Sequence, residues 1–290
     1  MLTHPPAATG GVAGGGRELP IVARLLAGAR FELTPLSGAL EQAEALPAGA
    51  TVTVTTSPSR GVGPTVALAE RLAERGFHAV PHLPARQILD TAELSELLGR
   101  LDRAGVREVF VVGGDADPPR GEFADGLSLL RAMRRIGHRP ARIGVPCYPE
   151  GHPLIDDGTL WSALLAKQEL ADYATTQMCF DPAAVCRFAR AARERGVTLP
   201  ILVGVPGVVN LRRLLRISMR IGVGDSVRFV RGQRTAAREL LRPGSYRPDA
   251  LVHALAAEEA CAFAGLHFYM FNDVEATMRW LREVSPRASR

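Results

Sequence analysis

Short runs rich in β-branched and apolar residues alternate with helix-patterned segments along nearly the whole chain, and this alternation restricts the fold more than any other feature. The runs occupy residues 29–34, 51–56, 78–82, 108–113, 142–147, 173–179, 200–205 and 266–271. The segments between them carry recognisable ends. Asp90 with Glu93 reads as a capping pair opening a helix that stops near Gly105. Asp181 followed by Pro182 supplies an N-cap and a proline at the first helical position, and Gly196 closes that helix. Residues 65–75 and 211–221 set Leu, Ile, Val and Ala at helical spacing against arginines, and a last helix is expected at about 274–284. Eight strands, each followed by a helix, predict an α/β fold of one domain, the closed (β/α)8 or TIM barrel. The length of 290 residues suits a fold that needs about 250. The rival is an open doubly wound sheet, but no strand is followed by a GxGxxG fingerprint. The glycine-rich residues 10–16 follow no strand at all. The long interval between the seventh and eighth strands is expected to hold extra helices and a loop around residues 242–249.

The barrel domain is expected to span residues 18–290, behind a flexible Ala/Gly/Pro-rich tail at residues 1–17. That tail lacks both a basic start and a long apolar run, so it does not read as a signal peptide, and a cytoplasmic protein is expected. No stretch reaches the roughly 18 uncharged apolar residues of a membrane helix. The net charge of +5 comes from arginines scattered through helices that also carry Asp and Glu. There is no basic block with interleaved aromatics, so a nucleic-acid partner is not expected; the arginines read first as solvated helix faces, and the balance also suits a polyanionic small molecule. The cysteines Cys147, Cys179, Cys186 and Cys261 form no CxxC pair and share no zinc spacing with histidine. They read as reduced, buried thiols, and no metal site is expected. Lys167 is the only lysine; every other basic position is arginine. A compact ammonium is not equivalent to a planar guanidinium, which marks Lys167 as a position where arginine does not serve.

In a β/α barrel the functional pocket lies where strands end and the loops to helices begin. The polar residues at those ends are Glu32 on the first strand, Thr55 and Thr56 on the second, His82 on the third and Asp115 after the fourth. The fifth runs into Tyr148-Pro149-Glu150-Gly151-His152-Pro153, the sixth carries Thr176 and Gln177, and the eighth carries His267, Tyr269 and Asn272. Singly, each has a plain structural reading: a satisfied polar neighbour, a wall histidine, a turn-shaping aspartate. Together they converge on one rim, which a packing rule does not predict.

These residues make the chain resemble the methylenetetrahydrofolate reductase family, a β/α-barrel family linked to flavin, over about residues 30–284. Phe31-Glu32 with Pro35 resembles the family's FEFxPP strand, whose glutamate is the general acid, and residues 51–55 resemble VSVT. Pro81-His82-Leu83 matches PHL, and Gly114-Asp115 the end of LRGD. Residues 148–153 match YPExHP, Thr176-Gln177 with Phe180-Asp181 match TQxxFD, and His267-Phe268-Tyr269 with Asn272 match HFYxxN. There are departures. Gly113 stands where the family has Arg, Thr56 where it has Tyr, and Pro58 near a position that is small. Asp273 replaces a substrate-binding Arg, and of the flavin-contacting Asp, Asn, Arg and Lys after YPExHP only Lys167 is kept.

The resemblance implies reduction of 5,10-methylenetetrahydrofolate to 5-methyltetrahydrofolate with NADH or NADPH. Glu32 is the acid that opens the five-membered ring, and an apolar barrel interior favours the protonated form of such an acid. Asp115 stabilises the N5 iminium cation, and Gln177, Asp115, Tyr269 and Asn272 bind the folate. Thr55, His82, Tyr148, His152 and Lys167 are the positions left to hold a redox cofactor. FAD is implied by the family, but the lost flavin contacts point to a variant in which the nicotinamide hands hydride directly to the folate iminium. Three alternatives stay open: a conventional FAD-dependent reductase, a non-catalytic folate-binding or regulatory relative, and a barrel oxidoreductase for another cyclic aminal or imine.

Overall fold

A computed structural model describes residues 15–56, 60–210 and 245–284. The helix expected at 211–221, Pro58, most of the N-terminal tail and part of the 242–249 loop lie outside the described residues.

All eight expected strands form, and they close into one parallel barrel. They are β1 (Arg30–Leu33), β2 (Thr51–Val54), β3 (His78–Pro84), β4 (Glu108–Val112), β5 (Arg142–Cys147), β6 (Tyr173–Thr176) and β7 (Ile201–Pro206), followed after two short strands by the eighth. The short ones, β8 (Val209–Asn210) and β9 (Ser245–Tyr246), pair antiparallel outside the barrel. The eighth barrel strand, β10 (Gly265–Tyr269), pairs with β7 on one side and β1 on the other, so Arg30 faces His267 and Glu32 faces Tyr269 across the closing seam.

The helices surround this barrel: α1 (Gly15–Ala27), α2 (Ala39–Ala43), α3 (Gly63–Glu74), α4 (Thr91–Arg103), α5 (Gly126–Ile136), α6 (Asp157–Gln168), α7 (Pro182–Glu194), α8 (Asp249–Ala257) and α9 (Val274–Val284). Their ends follow the sequence chemistry. Asp90 accepts the Glu93 backbone N–H at 2.8 Å while the Glu93 carboxylate accepts from Leu89 N at 2.6 Å. Asp181 accepts from Ala183 N with Pro182 at the first turn. Gly105 and Gly196, at φ of 75° and 85°, end α4 and α7 in the left-handed region that glycine enters without steric cost. Among the described residues no helix is long and apolar enough to cross a membrane.

Alternation along the strands sorts the side chains into two cores. Leu33, Val52, Val54, Val109, Val111, Val145, Val203 and Phe268 belong to the large cluster beneath the helices. Val80, Phe110, Tyr173 and Leu202, one position out of step, form a separate cluster that fills the lumen. Below it, at the start of the strands, the Arg30 guanidinium pairs with Glu108 and donates to the Tyr173 hydroxyl at 2.8 Å. Gly144 makes this possible, because a Cβ there would stand 2.2 Å from the Tyr173 ring. The lumen is therefore plugged at one end by an apolar layer over a polar lattice, and only the other end is left for chemistry.

Candidate active site

Two residues above Arg30 on the same inward face of β1 stands Glu32, 8 % exposed. Its Oε2 lies 3.4 Å from Nε2 of the buried His267 on β10. The pair can hold one proton in two ways: on the imidazole Nε2 facing a carboxylate, or on the carboxyl facing a bare Nε2. His267 Nδ1 is buried and finds no hydrogen-bond partner among the described residues. The His267 ring packs edge-on against Tyr269 with centroids 4.8 Å apart, and the Tyr269 hydroxyl donates to Thr176 O at 3.1 Å. Burial, followed by the charge of Glu32, holds the Tyr269 phenol well above its ordinary range, so it remains a neutral donor.

His82, from β3, completes this layer. Its ring lies 4.8 Å from that of Phe110, and its Nε2 is buried without a hydrogen-bond partner among the described residues. Burial first, and the facing His267 second, push its pKa down to about 3, so His82 is neutral at physiological pH. Thr56 Oγ1 donates to the His82 carbonyl at 3.1 Å, and Thr65 Oγ1 donates to the Thr55 carbonyl at 2.8 Å. The first bond joins the ends of β2 and β3 beside the opening, and the second ties α3 to the end of β2.

The remaining positions stand higher, on the rim. Asp115 is exposed, in the loop after β4. Gly114 before it has φ of 86°, and a Cβ there would come within 2.9 Å of Pro84. That loop is anchored by Arg86, which donates to Ala116 O at 2.6 Å and to Asp117 Oδ1 at 2.9 Å, while Arg86 N donates to Gly113 O. Sequence reading missed Arg86, whose sole signal is its place just past the third strand. Tyr148 and His152 stack edge to face at 5.3 Å. Burial pushes the Tyr148 phenol up to about 12, with Cys147 and Asp115 adding to it. His152 Nδ1 accepts from Leu154 N at 3.2 Å; burial lowers its pKa and Asp115 works in the opposite sense.

Gln177 follows β6 directly and is half-buried, with its N–H donating to Cys147 O at 2.8 Å. Asn272 is committed to the backbone: its Oδ1 accepts from Thr34 N at 2.8 Å and its Nδ2 donates to Thr34 O at 3.0 Å. It does so at φ of 60°, a conformation asparagine tolerates, and so ties the loop after β10 to the end of β1. Lys167, on α6, lines a small cleft together with Pro146, Tyr148, Asp157, Trp161 and Leu164. Burial lowers its pKa, and the charge of Asp125 offsets part of that. The cleft wall is apolar and aromatic: Trp161 stacks on Phe188 at 4.9 Å, and Arg195 covers Trp161 at 4.6 Å. The structure thus gathers Glu32, His82 and Tyr269 in the lumen with His267, sets Asp115, Tyr148 and His152 on one rim, and gives Asn272 a strut's contacts.

Comparison with known proteins places the chain among relatives. A family model described as methylenetetrahydrofolate reductase matches residues 34–285. A probable methylenetetrahydrofolate reductase (NADPH) of Caenorhabditis elegans is 29% identical over 137 residues, 43% of this chain and 20% of that protein. A probable methylenetetrahydrofolate reductase (NADH) of Oryza sativa subsp. japonica is 28% identical over 146 residues, 43% of this chain and 24% of that protein. Methylenetetrahydrofolate reductase (NADH) 1 of Zea mays is 27% identical over 146 residues, with the same coverage. The matches thus cover about a fifth to a quarter of these relatives. Glu32 stands two positions ahead of the matched span, so its importance rests on where the barrel puts it.

Proposed function

The chain belongs to the methylenetetrahydrofolate reductase family, and on that premise we propose that it reduces 5,10-methylenetetrahydrofolate to 5-methyltetrahydrofolate with hydride taken directly from NADH or NADPH. The observation that carries this reading is a buried carboxyl, Glu32, held against an imidazole in a lumen open at one end. Ring opening needs a proton at N10, and a group shared between Glu32 and His267 can deliver one without bulk water. The bond from N10 to the methylene carbon breaks, the electron pair goes to N10 with the proton, and a cation develops at N5. Hydride from the dihydronicotinamide then joins the methylene carbon, leaving methyltetrahydrofolate and oxidised nicotinamide.

Asp115 provides the counter-charge. It is solvated on the rim, but a planar pterin laid across the mouth would exclude water and strengthen its attraction to the N5 cation. Gln177, with a donor and an acceptor on one amide, suits the pterin edge. Tyr269 forms the wall beside the acid, and Asn272 acts by fixing the seam beside which Glu32 stands.

A family flavin would supply a two-electron relay between nicotinamide and folate. Among the described residues, those beside Tyr148 do not fit its diphosphate. The cleft beside Tyr148 offers one ammonium, Lys167, whose charge burial disfavours, among Leu160, Trp161 and Leu164 and next to the carboxylate of Asp157. Charge-assisted hydrogen bonds are worth about 1.5–3 kcal/mol each, so a flavin retained through every turnover needs several, whereas a nicotinamide dinucleotide, which carries the same diphosphate, need only bind and leave as a substrate. Thr55, His82, Tyr148, His152 and Lys167 are instead assigned to the nicotinamide donor, with neutral His82 and His152 facing an uncharged dihydropyridine.

The test is nicotinamide oxidation by protein freed of flavin, with methylenefolate as acceptor. Turnover that added FAD does not change is expected. A yellow protein that releases stoichiometric FAD on denaturation, and turns over only when flavin is restored, would instead favour the flavin-dependent reading.

A further inference from the structure

In the helical layer, outside the lumen, three potential metal donors meet that no local spacing announces. Cys186 lies on the inner face of α7, Glu258 caps the C-terminus of α8, and Cys261 ends the short 3₁₀ turn that follows. The two thiols are 2 % and 5 % exposed, while Glu258 is at the surface. The two sulfurs and a carboxylate oxygen all lie within 4.8 Å of one another. We propose that Cys186, Cys261 and Glu258 form a binding site for a soft divalent cation of the zinc or cadmium class, which staples α7 to the turn that leads into β10.

The dimensions suit such an ion. Tetrahedral zinc with sulfur at about 2.3 Å sets two thiolates about 3.8 Å apart, so the observed spread closes onto a metal by small side-chain rotations. The charges suit it as well. Two thiolates and a carboxylate sum to −3, a divalent cation brings +2, and Arg190 adds the last charge. Arg190 stands one helical turn beyond Cys186 and donates to Glu258 Oε2 at 2.7 Å. Such an arginine orients the carboxylate ligand as partners outside a metal's coordination shell do elsewhere. Exposure of Glu258 leaves the fourth position for water and gives the ion a way in. Ligand type selects the class: two sulfurs favour zinc or cadmium over magnesium or calcium, which require oxygen. The remaining cysteines, Cys147 and Cys179, are buried elsewhere and belong to no such group among the described residues.

The experiment uses the full chain, reduced with a phosphine and stripped by a chelator, titrated with cadmium and then with zinc. The expected result is a sulfur-to-cadmium charge-transfer band that saturates at a single equivalent and is abolished by competing zinc. Cys186→Ser and Cys261→Ser each remove the band, whereas Cys147→Ser and Cys179→Ser keep it. Glu258→Gln keeps the band but weakens binding by about tenfold or more. Absence of the band in the wild type, or its survival in either of the first two variants, overturns the proposal. Should those variants fail to fold, the melting temperature decides, because an ion that binds only the folded chain raises it with concentration. A zinc-dependent rise that shrinks in the surface variant Glu258→Gln supports the site, and an equal rise in both proteins rejects it.

Discussion

Glu32 Oε2 and His267 Nε2 lie 3.4 Å apart across the seam where the first and last barrel strands meet. Neither partner reaches bulk solvent easily, and in the proposed reaction this pair holds the proton that opens the folate ring. Glu32→Gln keeps the shape and the hydrogen-bonding capacity but removes the acid. It is expected to lower kcat by about 10²–10⁴-fold while folate Kd changes little. Stopped-flow turnover together with a binding titration checks this; undiminished kcat would remove Glu32 from the chemistry.

Asp115→Asn removes charge from the rim and retains its size. The single-turnover rate is expected to fall by about tenfold or more, because the developing N5 cation loses its counter-ion. Arg86→Ala leaves that charge in place but frees the loop anchored at Ala116 and Asp117. The expected signature there is a raised KM with a smaller loss in kcat, since an unanchored loop costs positioning rather than charge. Equal profiles for the two variants would deny Arg86 a positioning role.

His82 makes a pH prediction of definite sign. In the folded chain burial holds its pKa at about 3, against an ordinary 6.5. Between those values the unfolded chain takes up a proton that the folded chain refuses, so stability is fully present above the upper value and declines as pH falls through the window. His82→Gln removes this proton uptake. Urea unfolding should show a smaller loss of stability between neutral and acidic pH for the variant than for the wild type. Parallel pH curves would count against the burial of this imidazole.

At the plugged end, Arg30 pairs with Glu108 and donates to Tyr173. Arg30→Met leaves the half-buried Glu108 carboxylate with only Arg142, 3.8 Å away, and is expected to destabilise the fold by about 3 kcal/mol or less. Combining it with Glu108→Leu should cost less than the sum of the two single changes, because the second removes the charge that the first deprives of its nearer partner. Chemical denaturation of the three variants measures the coupling, and strict additivity would mean the pair does not interact.

Much of this molecule was legible in its sequence, for identifiable reasons. Eight apolar runs separated by capped helices leave few architectures, and inward alternation carries Glu32, His82 and Tyr269 into one lumen once the strands are parallel. Asn272 was legible as a position but not as a strut, because its bond to Thr34 joins opposite ends of the chain. Arg86 escaped notice since a solitary arginine after a strand looks like any solvated helix start. Cys186, Glu258 and Cys261 escaped for a related reason. Spacing rules detect ligands supplied by one short segment, whereas these come from separate elements brought together by packing.

The seam between β1 and β10 also orders events during synthesis. Glu32 leaves the ribosome among the first barrel residues, while His267 and the Asn272 latch onto Thr34 come among the last. A nascent or prematurely terminated chain therefore carries the acid without its imidazole. On the proposed reading, the proton donor is completed only when the last strand closes the barrel.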